Sequence, residues 1–461
     1  MAKYKAYPEY KDSGVEWLGE IPAHWRTISI ARLFSRNKRT GYTGKELLSV
    51  YRDYGVIPKS SRDDNNNKPS EDLSSYQLVK PDDLVMNKMK AWQGSIAISE
   101  YEGIVSPAYF IYQPNEMLFK QAYPKYIHYL LRNPIYVTQY LSRSKGIRVN
   151  QWDLDPDEFR NIEILLPRKS EQSKIFSFLD HETAKIDNLI EKQQQLIELL
   201  KEKREAVISH AVTKGLNPDV PMKDSGVEYQ QKKPLHWTLN KFRYMFNFDK
   251  GLTITKENLQ DEGIPCINYG EIHSKYHFEV DTKIHKLKCV NESYIKNNKN
   301  SLLYKGDIIF ADTSEDIEGA GNFSQLVSSD IVFAGYHTII ARLYNRENYR
   351  YYAYLLNSQE LRAQIRYSVK GVKVYSITQA ILRNISCWLP SSDEQNHIAK
   401  YLDQKITKID TLIEKQHQQI ELLQERRTAL ISAAVTGKID VRNWRAPTDQ
   451  PQAEAIAEAM V

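Results

Sequence analysis

Cysteine and long apolar runs are scarce in this 461-residue chain. Its three cysteines, Cys266, Cys289 and Cys387, stand far apart and form no CxxC pair, which argues against a disulfide framework or a thiolate zinc site. No apolar run approaches the ~20 residues of a membrane span, and the N-terminal residues lack the apolar core of a signal peptide. We therefore expect a reducing compartment, the cytoplasm, and no contact with a membrane.

Catalytic and cofactor motifs are also sparse. There is no GxxxxGK[ST] segment for a nucleoside triphosphate, and Gly319-Ala320-Gly321 is too short for a cofactor loop. The histidines and glutamates of residues 271–279 would share a face only on a helix, whereas their segment is typical of strand and turn. Asn133-Pro134-Ile135-Tyr136 resembles the NPPY motif of adenine methyltransferases but lacks its second proline. We predict no cofactor, no metal and no catalytic residue.

Charge is nearly balanced, with 63 basic against 58 acidic residues and a net charge of +5. This balance permits a nucleic-acid partner but does not demand one. Composition alone therefore leaves the function open.

One long stretch occurs twice, as residues 166–216 and 389–439, without a gap. Neither glycine nor proline interrupts residues 180–212 or 403–435, so each copy predicts a helix of about 50 Å. An apolar stripe follows each helix. Because so long and polar a helix needs a partner and both copies carry the same stripe, we predict that they form a coiled coil. Its seam comprises Ile186, Ile190, Ile197, Leu200, Val207 and Ala211 in the first copy, and Ile409, Ile413, Ile420, Leu423, Leu430 and Ala434 in the second.

Two seam positions are polar in both copies: Gln193 with Gln416, and Arg204 with Arg427. Polar residues inside a seam fix the register of a coiled coil at some cost in stability. Alternatively, these side chains lie at the solvated edge of the seam, because a 3.5-residue repeat drifts against a 3.6-residue helix.

A second repeat opens each half of the chain. KDSGVE stands at residues 11–16 and again at 223–228, and a Pro-x-His-Trp segment follows each copy. The order of opening motif, variable region and long helix is therefore duplicated, with NPDVP as a hinge. We divide the chain into residues 1–165, 166–216, 217–221 (the hinge), 222–388, 389–440 and a tail of 441–461.

The variable regions mix short β-rich runs with turns. Strands are predicted at Asp83 to Met86, Gly94 to Ile98, Ile308 to Ala311 and His337 to Ala341, with a loop at Asn65 to Pro69. One tyrosine-rich helix is predicted in each region, at residues 123–141, where Pro134 breaks it, and at 349–365.

A short cationic motif follows each tyrosine-rich helix. Lys145-Gly146-Ile147-Arg148-Val149 matches Lys370-Gly371-Val372-Lys373-Val374. A glycine flanked by cations lets the backbone approach a phosphate closely. A cationic hairpin turn that faces water is the alternative, and recurrence of the motif beside divergent sequence favours phosphate contact.

Taken together, these motifs resemble the specificity (S) subunit of type I restriction-modification enzymes. The resemblance rests on KDSGVEWLGEIPAHW at residues 11–25, on LPxxxEQ at 166–172 and 389–395, and on the KIDxLIEKQ core of each long helix. It implies an α+β fold with two globular target-recognition domains, residues 1–165 and 222–388, joined by two long antiparallel helices that form a coiled coil with an internal pseudo-two-fold repeat. The second opening departs from the family pattern at residues 229–233.

The resemblance also implies a function. Each target-recognition domain would read one half of a bipartite site in double-stranded DNA. The helices would set the spacing and dock two methyltransferase (M) subunits, with motor-nuclease (R) subunits joining for cleavage, and the S subunit itself would have no catalytic site. The alternatives are a specificity subunit of a nuclease-free methyltransferase complex and a coiled-coil scaffold that binds protein.

Candidate DNA-contacting residues follow from side-chain chemistry: Arg or Lys for guanine, Asn or Gln for adenine, aromatic and apolar groups for the thymine methyl. In the first region they are Arg36, Asn37, Lys38, Arg39, Arg62, Asn65, Asn66, Asn67, Lys88, Lys90, Trp92, Lys145, Gly146 and Arg148. In the second region they are Lys250, Lys256, Asn268, Tyr269, Asn322, Tyr336, His337, Lys370, Gly371 and Lys373.

Overall fold

A computed structural model describes residues 4–446 except 53, 63–67, 149–150, 228–229 and 370–373. The chain forms two compact units. The first comprises Met1–Gln193 with Gln418–Val461, and the second comprises Gln194–His417. Among the helices of the described ranges, none combines the length and the apolarity that a membrane-spanning segment requires.

The first unit contains short strands, short helices and part of each long helix. Its strands are β1 (Tyr10–Asp12), β2 (Glu20–Pro22), β3 (Arg26–Ser29), β4 (Phe34–Asn37), β5 (Leu48–Tyr51), β6 (Gly55–Pro58), β7 (Gln77–Val79), β8 (Leu84–Asn87), β9 (Ile96–Ile98), β10 (Gly103–Val105), β11 (Tyr109–Pro114), β12 (Ser144–Arg148), β13 (Gln151–Leu154) and β14 (Glu163–Leu166). Its helices are α1 (Glu116–Gln121), α2 (Pro124–Leu131), α3 (Pro134–Ser142), α4 (Pro156–Arg160) and the first part of α5 (Lys169–Lys214).

An antiparallel sheet with the order β4-β11-β8-β9 forms the centre of this unit. Strands β3 and β14 pair with each other, so the variable region begins and ends in one ribbon. The core between these strands and the helices contains Trp25, Tyr126, Tyr136 and Tyr140, all fully buried.

The second unit repeats this plan with additions. Its strands are β15 (Met222–Val227), β16 (Gln230–Pro234), β17 (Thr238–Lys241), β18 (Phe246–Lys250), β19 (Ile264–Ile267), β20 (Phe278–Val280), β21 (Lys288–Val290), β22 (Leu302–Leu303), β23 (Ile308–Ala311), β24 (Thr313–Ser314), β25 (Phe323–Leu326), β26 (Val332–Ala334), β27 (Thr338–Leu343), β28 (Tyr375–Ser376) and β29 (Ser386–Leu389). Its helices are α6 (Tyr269–Ser274), α7 (Tyr349–Leu356), α8 (Gln359–Ser368), α9 (Gln379–Asn384), the rest of α5 and the first part of α10 (Ser392–Val435).

The central sheet of the second unit has the order β18-β27-β23-β25-β20. Its first four strands match β4-β11-β8-β9 in order, and β20 extends the sheet by parallel pairing with β25. A second sheet, β21-β19-β26-β22, packs beside it. Strands β17 and β29 pair as β3 and β14 do, so each variable region again starts and ends in one ribbon.

The long helices begin earlier than residues 180 and 403, at Lys169 and Ser392, because the last residues of each LPxxxEQ signature are already helical. Helix α5 has 46 residues and α10 has 44, which at ~1.5 Å per residue gives about 69 and 66 Å rather than 50 Å. Glu171 and Glu394 lie in the first turns, where a carboxylate interacts favourably with the helix dipole.

Within each unit the two long helices run antiparallel. In the first unit Ile186, near the start of α5, shares a core with Leu430 and Ala434, near the end of α10. In the second unit the end of α5 packs with the start of α10 in the same way, since Val207 and Ile409 share a core. The seam residues Ile186, Ile190, Ile197, Leu200, Val207, Ala211, Ile409, Ile413, Ile420, Leu423, Leu430 and Ala434 are all buried or partly buried.

The polar seam positions are partly buried, and the two arginines form ion pairs between the helices. Arg204 Nε lies 3.0 Å from Asp410 Oδ1, and Arg427 Nε lies 2.8 Å from Asp187 Oδ1. The two pairs are equivalent by the repeat, because 427 − 204 = 410 − 187 = 223. These arginines therefore lie at the edge of the seam, yet each one joins the two helices.

Several predicted elements differ in detail. The tyrosine-rich helix predicted at 349–365 is wrong as one helix, because Ser358 accepts a hydrogen bond from Leu361 N and starts α8 after a break at Asn357. The predicted strands at 83–86, 94–98 and 337–341 are shifted by one or two residues at their ends. Residues 272–274 of the segment predicted as strand and turn belong to helix α6, whereas Phe278–Val280 form strand β20. The predicted loop at 65–69 lies partly outside the described residues.

Candidate DNA interface

Three loops of the first unit are joined by backbone hydrogen bonds at Lys88. Its N–H donates to Ala108 O over 3.1 Å, and its carbonyl accepts from Leu154 N over 3.2 Å. The loop after β8, the turn before β11 and the end of β13 therefore meet at one residue. We call this arrangement the first junction, and it places the β12–β13 hairpin beside residues 88–93.

The side chains at the first junction are cationic and aromatic. Lys88 Nζ lies 4.0 Å from Asp153 Oδ2, and the rings of Trp92 and Trp152 are 4.9 Å apart. Lys90 and Lys145 are exposed. The structure thus brings together four candidates, Lys88, Lys90, Trp92 and Lys145, that are separated by up to 57 residues (145 − 88 = 57).

The hairpin also corrects the prediction for the cationic motif. Residues 144–148 form strand β12, which pairs with β13, so Lys145 and Gly146 lie on an exposed strand and not in an irregular loop. Arg148 ends that strand, opposite Gln151. Trp152 was missed by the sequence analysis. Its position between two polar residues, directly after the cationic motif, was the available signal.

The remaining candidates of the first unit lie on other elements. The guanidinium of Arg36 lies 4.1 Å from the Phe110 ring, and Asn37 Nδ2 donates to Gln113 Oε1 over 2.5 Å. Arg62 covers the Tyr54 ring at 4.4 Å, next to the β5–β6 hairpin. Lys38 is exposed. Asn65, Asn66 and Asn67 lie outside the described residues.

Arg39 has a structural role. Its guanidinium pairs with Asp83, which is almost fully buried and also accepts from Lys80 N over 2.8 Å. Burial raises the pKa of Asp83 although Arg39 opposes the shift. Asp307 in the second unit accepts from Tyr304 N in the same way and pairs with Arg342. Each unit therefore anchors the turn before its central strand with a buried acid, so we leave Arg39 out of the proposed interface.

The second unit contains an equivalent junction at Asp312. Its N–H donates to His337 O over 3.0 Å, and its carbonyl accepts from Ile377 N over 2.8 Å. The loop after β23, the turn before β27 and the segment after the second cationic motif therefore meet at one residue. We call this the second junction. Lys370, Gly371 and Lys373 themselves lie outside the described residues.

Aromatic side chains gather at the second junction. The ring of Tyr269 lies 5.6 Å from that of Tyr336 and 5.3 Å from that of His337. Asn322 lies nearby, where its Nδ2 is 3.0 Å from His273 Nδ1 and its Oδ1 accepts from Arg362. Asn322 is therefore held on both sides.

The other candidates of the second unit differ in their environment. Lys250 and Lys256 are exposed, whereas Asn268 is buried. Asn268 caps helix α6, since its backbone N–H donates to Glu271 Oε2 over 3.0 Å. A buried cap has no surface for DNA, so we leave Asn268 out of the proposed interface.

The repeated signatures meet each other beside the long helices. His24 Nε2 and Trp25 Nε1 lie 2.8 and 3.0 Å from the carboxylate oxygens of Glu171. His236 and Trp237 contact Glu394 in the same way, at 2.9 and 3.3 Å. The opening motif of each half therefore binds the glutamate of the LPxxxEQ signature. These residues hold the start of a helix and are a scaffold.

Two other sites considered from the sequence have structural explanations. Asn133 is buried and caps α3, where its Oδ1 accepts from Ile135 N over 3.0 Å. His273 Nε2 lies 2.8 Å from Thr313 O. Within the residues that the structure describes, no three His, Cys, Asp or Glu side chains are grouped to hold a metal ion.

Comparison with known proteins identifies the class. The family model described as "Type I restriction modification DNA specificity domain" matches residues 22–199 and again 234–422. These matches cover most of the chain and follow its duplication. The chain therefore belongs to the family of type I restriction-modification DNA specificity subunits, which recognise DNA and are not themselves catalytic.

Individual relatives agree over nearly the full length. The specificity subunit of type I restriction enzyme MjaVIII from Methanocaldococcus jannaschii is 22% identical over 431 residues, which cover 92% of this chain and 95% of the relative. A structure from work on complex assembly and conformational transition of the type I R-M system superposes with a TM-score of 0.67 at 14% identity, covering 90% and 98%. The HsdS subunit from Thermoanaerobacter tengcongensis gives a TM-score of 0.51 at 15% identity, covering 91% and 98%. These structures share the fold.

Proposed function

We propose that each unit reads one half of a bipartite sequence in double-stranded DNA through its junction. The observation that carries this proposal is the repeated backbone arrangement at Lys88 and Asp312, which gathers candidate residues on three loops. Base edges are read by side chains on elements that enter a groove, while cations contact the phosphates. The first junction supplies Lys88, Lys90, Lys145 and aromatic rings, and the second supplies Tyr269, Tyr336 and His337.

We further propose that the long helices set the spacing between half-sites and dock two methyltransferase subunits. An exposed leucine pair supports the docking: the first unit exposes Leu189 and Leu422, and the second exposes their repeat equivalents, Leu412 and Leu199. Exposed apolar side chains that recur at equivalent places are typical of an interaction surface. Motor-nuclease subunits would join this complex, in the cytoplasm, for cleavage.

Exchange of one variable region tests the proposal. Residues 238–388 are replaced by the equivalent region of another specificity subunit, and the complex with methyltransferase subunits is expressed in cells. We expect one half-site of the methylated motif to change while the other half-site stays the same. The reciprocal exchange of residues 26–165 is the control and should alter the opposite half. Changes in both half-sites after one exchange would contradict separate reading by the two units.

A further inference from the structure

We propose that Asp312 and His337 recognise the exocyclic amino group of an adenine or cytosine in the major groove of the second half-site. This inference rests on the proposed function and adds the base chemistry that the second junction selects. Four observations support it: the direction of the Asp312–His337 hydrogen bond, the backbone conformation of His337, the exposure of the His337 side chain beside a partly exposed Asp312, and the comparison with Lys88.

The hydrogen bond between the two side chains defines which atoms remain for DNA. His337 Nδ1 lies 3.2 Å from Asp312 Oδ1, and the Thr313 hydroxyl donates to the same oxygen over 2.7 Å. Because an ionised carboxylate can only accept, His337 Nδ1 must be the donor. In the neutral imidazole, Nε2 is then an acceptor. Among the described residues, Asp312 Oδ2 has no hydrogen-bond partner, so this oxygen remains as an acceptor, with Nε2 of the neutral His337 ring as a second one.

His337 is held outwards by its backbone. Its φ is +54°, in the left-handed region that residues other than glycine rarely adopt. Such conformations persist where the surroundings enforce them, and they occur often at functional sites. Here the His337 carbonyl accepts from Asp312 N, and the Tyr269 ring packs 5.3 Å from the imidazole. The side chain remains 58% exposed, although it is positioned from two directions.

Acceptors at this place select a donor on DNA. The phosphates and the guanine O6 and N7 atoms are acceptors, so a carboxylate disfavours them, whereas the adenine N6 and cytosine N4 amino groups are the donors of the major groove. Two other acids of the same loop each have one partner: Asp316 Oδ1 accepts from Gly319 N over 2.6 Å, and Glu318 pairs with Arg366 at 2.6 Å. Asp312 differs from both in position, because its backbone forms the second junction and its side chain binds His337.

The first junction has the opposite chemistry at the equivalent place. Lys88 occupies the position of Asp312 in the backbone arrangement, and Ala108 occupies that of His337. The backbone hydrogen bonds are the same in the two units, but the donor side chain of Lys88 is replaced by the acceptor side chains of Asp312 and His337. This is the pattern expected of a position that determines which base is read.

The isosteric variant Asp312→Asn tests the inference. The amide can keep an acceptor towards His337 but turns the free oxygen into an NH₂ donor. The full-length chain, in complex with its methyltransferase subunits, is used to select duplexes from a randomised library, and the bound fraction is sequenced. The wild type should prefer adenine or cytosine at one position of the second half-site by about tenfold. Asp312→Asn should lose that preference or reverse it towards guanine or thymine, with the first half-site unchanged.

Two further variants separate base reading from folding. Asp316→Asn makes the same chemical change in the same loop and should leave both half-sites unaltered. His337→Asn tolerates the left-handed backbone and should weaken the same base preference that Asp312→Asn changes. An unaltered second half-site in Asp312→Asn, with thermal unfolding like that of the wild type, would overturn the inference. If the wild type selects no two-part sequence at all, the proposed function itself fails.

Discussion

The two units share a glutamate site at the start of a long helix but bury it to different degrees. The Glu171 side chain is 6% exposed and forms hydrogen bonds with Tyr7, His24 and Trp25. The Glu394 side chain is 28% exposed and, among the described residues, forms hydrogen bonds only with His236 and Trp237. The Tyr7 hydroxyl donates over 2.6 Å, and burial raises its pKa well above the usual value. Tyr7 precedes the duplicated opening and has no repeat equivalent. The duplicated His and Trp residues therefore contact the glutamate in both units. Tyr7, which lies outside the repeat, adds a further contact in the first unit only.

The largest expected difference between the units comes from removing these glutamates. Glu171→Ala should destabilise the first unit by about 3 kcal/mol, because it leaves a buried hydroxyl and an indole N–H without an acceptor. Glu394→Ala should destabilise the second unit by about 1 kcal/mol, since water can reach this partly exposed site and replace the carboxylate. Denaturant unfolding, resolved by hydrogen exchange of α3 and α8 peptides, measures both changes.

Glutamine variants provide the control for this comparison. Glu171→Gln keeps an acceptor for the Tyr7 hydroxyl or the Trp25 indole, so it should recover a large part of the loss. Equal costs of the two alanine variants would mean that the burial difference between the units has no energetic consequence.

Acid should destabilise the first unit selectively through His128. This side chain accepts from Arg132 at 2.8 Å, and burial, reinforced by Arg132, lowers its pKa from 6.5 to about 3. As the pH falls below 6.5, His128 therefore becomes protonated in the unfolded chain but stays neutral in the folded unit. The free energy of unfolding, which has its full value above pH 6.5, decreases as a result. The loss by pH 5 should reach about 2 kcal/mol. In the second unit Ala353 occupies the equivalent position of the tyrosine-rich helix.

His128→Ala tests this difference. The variant is expected to be less stable at pH 7 because it loses packing, but its disadvantage should shrink by about 2 kcal/mol between pH 7 and pH 5. Urea unfolding at several pH values, followed by hydrogen exchange of α2, gives the comparison. Parallel pH curves for the variant and the wild type would show that His128 does not titrate with unfolding.

Repetition explains how much of this fold the sequence predicted. Duplicated motifs and the 3.6-residue stripe predicted the two repeats, the long helices and their seam, because these features depend on local periodicity and on repetition of the sequence. The junctions depend on contacts between distant residues: Lys88, Ala108 and Leu154 share no local pattern. Residue type alone also could not distinguish Arg39 from the exposed cations, although Arg39 pairs with Asp83, 44 residues away in the sequence. Burial makes that distinction, and burial belongs to the tertiary structure.

The cationic hairpin of the first junction should contribute a smaller, sequence-independent effect. Lys145→Ala combined with Arg148→Ala is expected to weaken DNA binding by the assembled complex about fivefold, alike for all sequences, and to flatten the salt dependence by roughly one to two units of slope. Lys120→Ala, which removes only a surface pair with Glu116, is the matched control. A changed base preference in the double variant would mean that the hairpin reads bases.

The smallest expected effects should be the same in both units. Arg204 and Arg427 form equivalent pairs with Asp410 and Asp187, at 3.0 and 2.8 Å, and their side chains are 24% and 34% exposed. Partly exposed pairs of this kind are screened by water and typically stabilise by about 0.5 kcal/mol. Double-mutant cycles of Arg204→Ala with Asp410→Ala, and of Arg427→Ala with Asp187→Ala, should give coupling energies that agree within a few tenths of a kcal/mol.

High salt should reduce both couplings together, since both pairs face solvent. Unequal couplings, different by more than about 1 kcal/mol, would show that the environment of the seam is not repeated although its sequence is. The duplication would then preserve geometry without preserving energy, as we predict for Glu171 and Glu394. Equal couplings would mean that the two units differ in energy only at sites contacted by residues outside the repeat, such as Tyr7 at Glu171.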